Sequence, residues 1–310
     1  MSSPIATPDS RNPRPARPPV LEMHDVSKAF ARRGKAPFLA VTDLNLTVRD
    51  LENTGEFICI VGPSGCGKST LLHLVAGFDT HIPPTTGEVR FLGKPITGPA
   101  ASRGMLFQHY SCYPHLSVID NIAFGLRLHG RALGISDDEI EDAAFRWLEL
   151  VRLREGDAGK FPHELSGGMR QRVALARCLA LKPRCLLMDE PFSALDEPTR
   201  LEMQDLIVEL WSEIDATVIL VSHSIAEAVY LADRVWLMSP SPGTIVSEFT
   251  DIPTPDPTVP AMVAQSGPEF ADCVAEVSQT FYDVLRAKRD GLSPIHADGT
   301  GKGLPAEDEA

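Results

Sequence analysis

The sequence predicts an α/β fold with a mainly parallel sheet, and three observations carry that expectation. Apolar runs of strand length, Phe57–Val61, Cys185–Met188 and Thr217–Val221, each end in polar residues. Segments with helical spacing of apolar residues lie between them. Apolar residues make up 43% of the 310, enough to fill a core. Alternation of this kind folds into parallel strands with helices on their faces, and ligands then gather at the carboxyl ends of the strands.

Taken in chain order, residues 1–20 carry six prolines and three arginines, which predicts a disordered arm lacking backbone donors. From residue 21 to about residue 250 one folded unit is expected. It opens with strand-like stretches Leu21–Val26, Phe38–Val48 and Glu56–Val61, the first two joined by a basic loop over Ala31–Lys35. Ser136-Asp-Asp-Glu139 has the form of a capping box. Ile140, Ala143, Trp147, Leu148 and Val151 follow it at helical spacing. Residues 251–288 read as an extension. Within it Phe270, Val274, Val277, Phe281 and Val284 predict an amphipathic helix over Pro268–Arg289, packed on its own domain or against a partner. The Gly-rich, acidic-ended residues 289–310 read as a disordered tail.

Charge and cysteine usage exclude several classes. The formal net charge is −13, which argues against non-specific nucleic-acid binding, since that needs clustered Lys and Arg on phosphates. No stretch reaches 18 consecutive apolar residues, so no membrane span is expected. The first twenty residues lack an apolar signal-peptide core, which predicts a cytoplasmic chain. Cys59, Cys66, Cys112, Cys178, Cys185 and Cys273 form no CxxC pair, and reduced thiols are expected.

The chemistry begins where the strand Phe57–Val61 runs into Gly62, Pro63, Ser64, Gly65, Cys66, Gly67, Lys68, Ser69 and Thr70, ahead of a helical Leu71–Ala76. Strand, glycine loop and helix in that order form a phosphate cradle. The glycines let consecutive N–H groups point inward, and the helix contributes its positive dipole end. Lys68 supplies charge to the β- and γ-phosphates, and the Ser69 hydroxyl suits Mg²⁺. Cys66, beside a helix N-terminus, has the setting of a thiol with a depressed pKa. That predicts loss of activity on alkylation, with protection by nucleotide.

Two more stretches narrow the class. Cys185–Met188 ends in Asp189 and Glu190; the first suits a Mg²⁺ shell, and the second suits polarising a water for attack on the γ-phosphate. Ser166, Gly167 and Gly168 stand at the mouth of a helix cut off by Pro183, a second phosphate cradle in one chain. The economical reading is that this cradle closes on a nucleotide held by another subunit.

These stretches resemble the ATP-binding subunits of ABC transporters over about residues 21–250. Gly62–Thr70 is similar to the Walker A loop, Leu165–Gln171 to the ABC signature and Leu186–Glu190 to Walker B. Ser193–Asp196 resembles the D-loop, Gln108 the Q-loop glutamine and His223 the switch histidine, all in the family's order. The resemblance implies a P-loop NTPase core with an N-terminal antiparallel β subdomain and a helical subdomain inserted at about residues 110–180. It implies two copies paired head to tail, with ATP as substrate between one chain's Walker A loop and the other's signature. Lys68 and the loop amides then hold phosphate, while Ser69, Gln108 and Asp189 serve Mg²⁺. Glu190 activates water, His223 contacts the γ-phosphate, and Asp196 serves communication across the dimer. Phe30 matches the aromatic that stacks on adenine, with Phe38 a second candidate.

Transport follows by the same resemblance. Two separate transmembrane permease subunits supply the pore, a periplasmic or extracellular solute-binding protein acts indirectly, and the chain sits peripherally on the cytoplasmic face of the bacterial inner membrane. A docking rim for the permease is expected at His109–Leu116, with Tyr110, Tyr113 and Pro114 offering aromatic and rigid surface. Glu190–Asp196 resembles importers, and Glu227–Val235 with the segment around Gly243 resembles the nitrate/sulfonate/taurine importer group. A soluble non-transport ABC ATPase and an exporter ATPase are the alternatives. There are departures as well: the approach Arg49–Gly55 is longer than the family's usual turn, and Ser224 follows His223 where many relatives have Asp.

Overall fold

The computed structural model describes residues 18–50, 55–108, 112–253, 255–290, 297–298 and 302–303. The chain opens with β1 (Leu21–Arg32) and β2 (Lys35–Val48), an antiparallel pair. They meet at a two-residue turn, Arg33-Gly34, where Gly34 takes the positive φ of +70° that such turns need. The basic loop expected over Ala31–Lys35 is therefore mostly strand: its charged side chains project into solvent and do not interrupt the ladder.

Next come β3 (Phe57–Val61), α1 (Lys68–Ala76), β4 (Thr86–Phe91), β5 (Lys94–Pro95) and β6 (Arg103–Leu106). A helical stretch follows, with α2 (Val118–Leu133), α3 (Asp137–Leu150) and α4 (Gly167–Leu179). The capping box heads α3 as the sequence predicts, with Glu139 N–H donating to Ser136 Oγ and Ser136 N–H to Glu139 Oε2. The remaining core elements are β7 (Cys185–Asp189), α5 (Glu197–Glu213), β8 (Thr217–Ser222), α6 (Ile225–Leu231), β9 (Arg234–Met238) and β10 (Ile245–Phe249). The chain continues through α7 (Ala261–Ala264) and α8 (Pro268–Arg289) to the short pair β11 (Ala297–Asp298) and β12 (Lys302–Gly303).

Two sheets organise the core. One is antiparallel, in the order β2-β1-β4-β5; the other has six strands in the order β10-β9-β3-β8-β7-β6, parallel except for β10 at one edge. Alternate residues of the parallel strands feed two cores. Phe57, Cys59 and Val61 of β3 face the helical side with Leu186, Met188, Val218 and Leu220. Ile58 and Ile60 face α1 and the antiparallel sheet with Leu187, Ile219, Val221 and Trp236. Burial on both faces explains why these strands read as unbroken apolar runs.

Two terminal expectations need correction. Val20, assigned to a disordered arm, is buried: its N–H donates to Val48 O, and its carbonyl accepts from Leu92 N–H. Residues 1–17 of that arm lie outside the described residues. The segment read as a disordered tail contains the β11–β12 pair, with Ala297 opposite Gly303. On α8, Val277 and Val284 are buried, and Phe270, Val274 and Phe281 pack against the core of their own domain.

Candidate nucleotide site

The parallel strands β3, β7 and β8, with the edge strand β6, bring their carboxyl ends to one end of the sheet, and the predicted residues follow directly from them. After β3 the loop turns into α1 at Gly67, whose φ of +107° suits glycine alone. A Cβ placed there would lie 2.8 Å from Ala40 O and 2.5 Å from Val41 Cγ1. The nine-residue helix begins with Lys68, 4% exposed, whose Nζ donates to Gly62 O at 2.8 Å and Pro63 O at 3.1 Å. Its ammonium is thereby fixed at the mouth of a loop whose amides and helix dipole favour an anion. Ser69 Oγ donates to Asp189 Oδ1 at 3.1 Å, which joins the phosphate loop to the end of β7.

The loop is braced from a distant part of the sequence. Gly243 donates its N–H to Ala40 O and accepts from Thr42 N–H. A Cβ on Gly243 would lie 1.9 Å from Cys66 O, so only glycine lets the two backbones approach this closely.

Beyond β7, Glu190 adopts a left-handed backbone with φ +48°, and its N–H donates to Val221 O on β8. A non-glycine residue in that region costs energy, and such outliers cluster at functional sites. The turn aims the carboxylate back over the sheet end, where His223 Nε2 lies 2.5 Å from Oε1 and Gln108 Nε2 donates to Oε2 at 3.0 Å. The Glu190 side chain is only 12% exposed, whereas that of His223 is 48% exposed and faces outward. Asp189, Glu190, Gln108 and His223, four residues from three strand ends, thus meet at one point beside Lys68 and Ser69.

The second cradle lies elsewhere on the same chain. Ser166 Oγ accepts from Met169 N–H and caps α4, with Gly167 and Gly168 opening the helix. A Cβ on Gly168 would meet Thr199 Cγ2 of α5, so this cradle sits against the helix that Asp196 heads. Phe30 and Phe38 are cross-strand neighbours in β1 and β2, and both are half-exposed instead of lying in the core. The Phe30 ring meets the edge of His81 at 5.2 Å, while the Arg32 guanidinium lies 4.2 Å from the Phe38 ring centre. Burial, with His73 and Lys28 adding to it, pushes the His81 imidazole down to about 4.

The expectation for Cys66 is reversed. Its thiol is buried and pushed up from the ordinary range by that burial, with nearby Lys68 only partly opposing it. The thiolate is the reactive form, so the folded protein at neutral pH is expected to leave Cys66 unmodified by iodoacetamide while denatured protein reacts. Peptide mass mapping after timed quenching checks this, and rapid labelling of the native chain would overturn it. All six cysteines are free.

At the predicted permease rim, His109, Tyr110 and Ser111 lie outside the described residues. Tyr113 is engaged internally, its ring 4.5 Å from that of Phe124 and 4.8 Å from the Arg177 guanidinium carbon. Sequence reasoning missed a polar cluster behind His223. There Glu227 on α6 accepts from Ser222 Oγ and faces Arg200 of α5. Its signal in the sequence is a glutamate four residues after the histidine.

Comparison with known proteins shows the family. The family profile described as ABC transporter matches residues 41–193. The chain is 45% identical over 231 residues to the nitrate import ATP-binding protein NrtD of Synechocystis sp., covering 74% of this chain and 82% of that protein. It is 44% identical over 227 residues to the taurine import ATP-binding protein TauB of Escherichia coli O157:H7, covering 73% and 84%. Among solved structures, the dimeric post-hydrolysis state of the ATP-binding cassette MJ0796 bound to ADP and Pi superposes with a TM-score of 0.63 at 31% identity, covering 74% of this chain and 97% of that one. With the strand-end cluster built around Glu190 and these relatives together, the chain belongs to the ABC transporter family, as one of its ATP-hydrolysing cassettes.

Proposed function

We propose that the chain powers uptake of a small anion, of the nitrate, sulfonate or taurine class, by hydrolysing ATP between two copies of itself. The observation that carries the hydrolytic part is the meeting of Gln108, Glu190 and His223 next to Asp189, which Ser69 of the phosphate loop contacts. Lys68 and the amides of Gly62–Thr70 hold the phosphates, and Phe30, with Phe38 beside it, stacks on adenine. Ser166, Gly167 and Gly168 of one copy cover the phosphates held by the other, and Asp196 lies at that seam. Dimeric relatives of known structure support the pairing.

Glu190 accepts the proton of the attacking water, its carboxylate held in place by one hydrogen bond from Gln108 and by His223 on the other oxygen. His223, the more exposed of the two, meets the γ-phosphate. The residues also fit Mg²⁺. The Ser69 hydroxyl, the Asp189 carboxylate and the Gln108 amide are hard oxygen donors, and this ion is held by one or two carboxylates together with substrate phosphates. When bound it supplies charge neutralisation at the β- and γ-oxygens.

Among the described residues no helix is long and apolar enough to cross a membrane. The kinship with import ATP-binding proteins supports a pore supplied by two permease subunits, with this chain on their cytoplasmic face at the inner membrane and a solute-binding protein beyond them. The kinship with nitrate and taurine import proteins supports the anion class. Proteoliposomes carrying the cassette with its permease test it. Hydrolysis is expected to rise when the binding protein is loaded with nitrate, taurine or an alkanesulfonate, and to stay basal with a neutral sugar. Stimulation by the sugar and by none of the anions would overturn the assignment.

A further inference from the structure

The turn that presents His223 is tied down on both sides by one residue. Ser222 Oγ accepts from Ser224 N–H at 3.0 Å and donates to Glu227 Oε2 at 2.5 Å. Ser224 Oγ in turn accepts from Glu227 N–H at 3.2 Å. Glu227 thus closes a ring of hydrogen bonds around His223, with its carboxylate on Ser222 and its amide on Ser224. The imidazole projects from this fixed turn to Glu190, with Nε2 2.5 Å from Oε1.

The other carboxylate oxygen, Oε1, lies 3.8 Å from Arg200 Nε. Arg200 sits one turn into α5, the helix that Asp196 heads, and also pairs with Glu197. Glu227 is 9% exposed, and a carboxylate at that depth needs compensation. Burial pushes its carboxyl up, Glu190 adds to that, and Ser222, Arg200 and His223 oppose it. A helix-capping role for α6 would need none of this charge, because Ser224 already caps the helix through its own hydroxyl.

We propose that Glu227 is a positioning residue for hydrolysis: through Ser222 it fixes the turn bearing His223, and through Arg200 it ties that turn to the helix headed by Asp196. This rests on the ATPase reading above. It adds that the seam between two copies and the γ-phosphate contact are joined within each chain, so that a shift of α5 moves His223 relative to Glu190.

Four variants of the full-length chain test this: Glu227→Gln, Arg200→Met, Arg200→Lys and the double Glu227→Gln/Arg200→Met. Glu227→Gln keeps size and hydrogen-bonding capacity but removes the charge facing Arg200. The expected result is a kcat loss of about tenfold with the KM for ATP within about twofold, because ground-state nucleotide contacts are untouched. Arg200→Met is expected to match that loss, Arg200→Lys to restore most of it, and the double variant to be no worse than either single one. A merely structural role predicts additive losses, a lowered melting temperature and no rescue by lysine, and that pattern would overturn the proposal. Wild-type kcat in Glu227→Gln would overturn it too. If Glu227→Gln fails to fold, the Arg200 pair decides alone: equal turnover in the methionine and lysine variants counts against the link. Should wild-type turnover be absent, or survive Glu190→Gln, it is the ATPase reading that falls.

Discussion

Glu190→Gln is expected to lower ATP turnover by about a thousandfold while leaving nucleotide affinity within about twofold. The amide has the shape of the carboxylate and still accepts a hydrogen bond, so contacts to Gln108 and His223 persist and the left-handed turn at φ +48° is undisturbed. The capacity to take a proton from water is lost. Binding and chemistry are then separated: the variant fills with ATP, closes on a second copy and stays there. Single-turnover kinetics give the rate, and light scattering with and without ATP gives the mass. Turnover within tenfold of the wild type would show that another group acts as base.

Lys68→Met is expected to act on the other half of that division. The ammonium is held by the carbonyls of Gly62 and Pro63, almost out of solvent, and in the function proposed above it makes charge-assisted bonds to the phosphates. Such bonds contribute about 1.5–3 kcal/mol each, which corresponds to ATP affinity lowered by about ten- to a hundredfold. Met fills the space of the stem, so the loop retains its packing, while the two carbonyls lose a donor at a cost of about 1 kcal/mol. Titration with a fluorescent ATP analogue checks the affinity, and thermal melting checks that the fold survives. Unchanged affinity would remove Lys68 from the phosphate site.

Legibility of the fold and site followed burial and motif density. β3, β7 and β8 declared themselves because both faces are covered and no polar residue interrupts them. The hairpin β4–β5 and the edge strand β6 did not: Thr86–Phe91 mixes Gly, Glu and Arg with its apolar residues, and Arg103–Leu106 spans four residues with Arg and Gly among them. Their strand character comes from pairing with β1 and β7, which local sequence does not carry. Among the site residues, the phosphate loop was readable from chemistry alone. Gln108, Asp196 and His223 were nameable only through resemblance, since each is a single polar residue at a strand or loop end. The Glu227–Arg200 contact spans 27 residues and depends on how α5 and α6 lie beside β8.

The brace between Gly243, Ala40 and Thr42 has a bearing on biosynthesis. A ribosome that has released the first two hundred residues has emitted every glycine of the cradle, yet the segment that wedges against Cys66 has still to emerge. The nascent chain therefore carries the phosphate loop before that loop is braced from behind. The rigid form of the loop waits for the segment around Gly243 to emerge, so the receptacle follows its own motif in time.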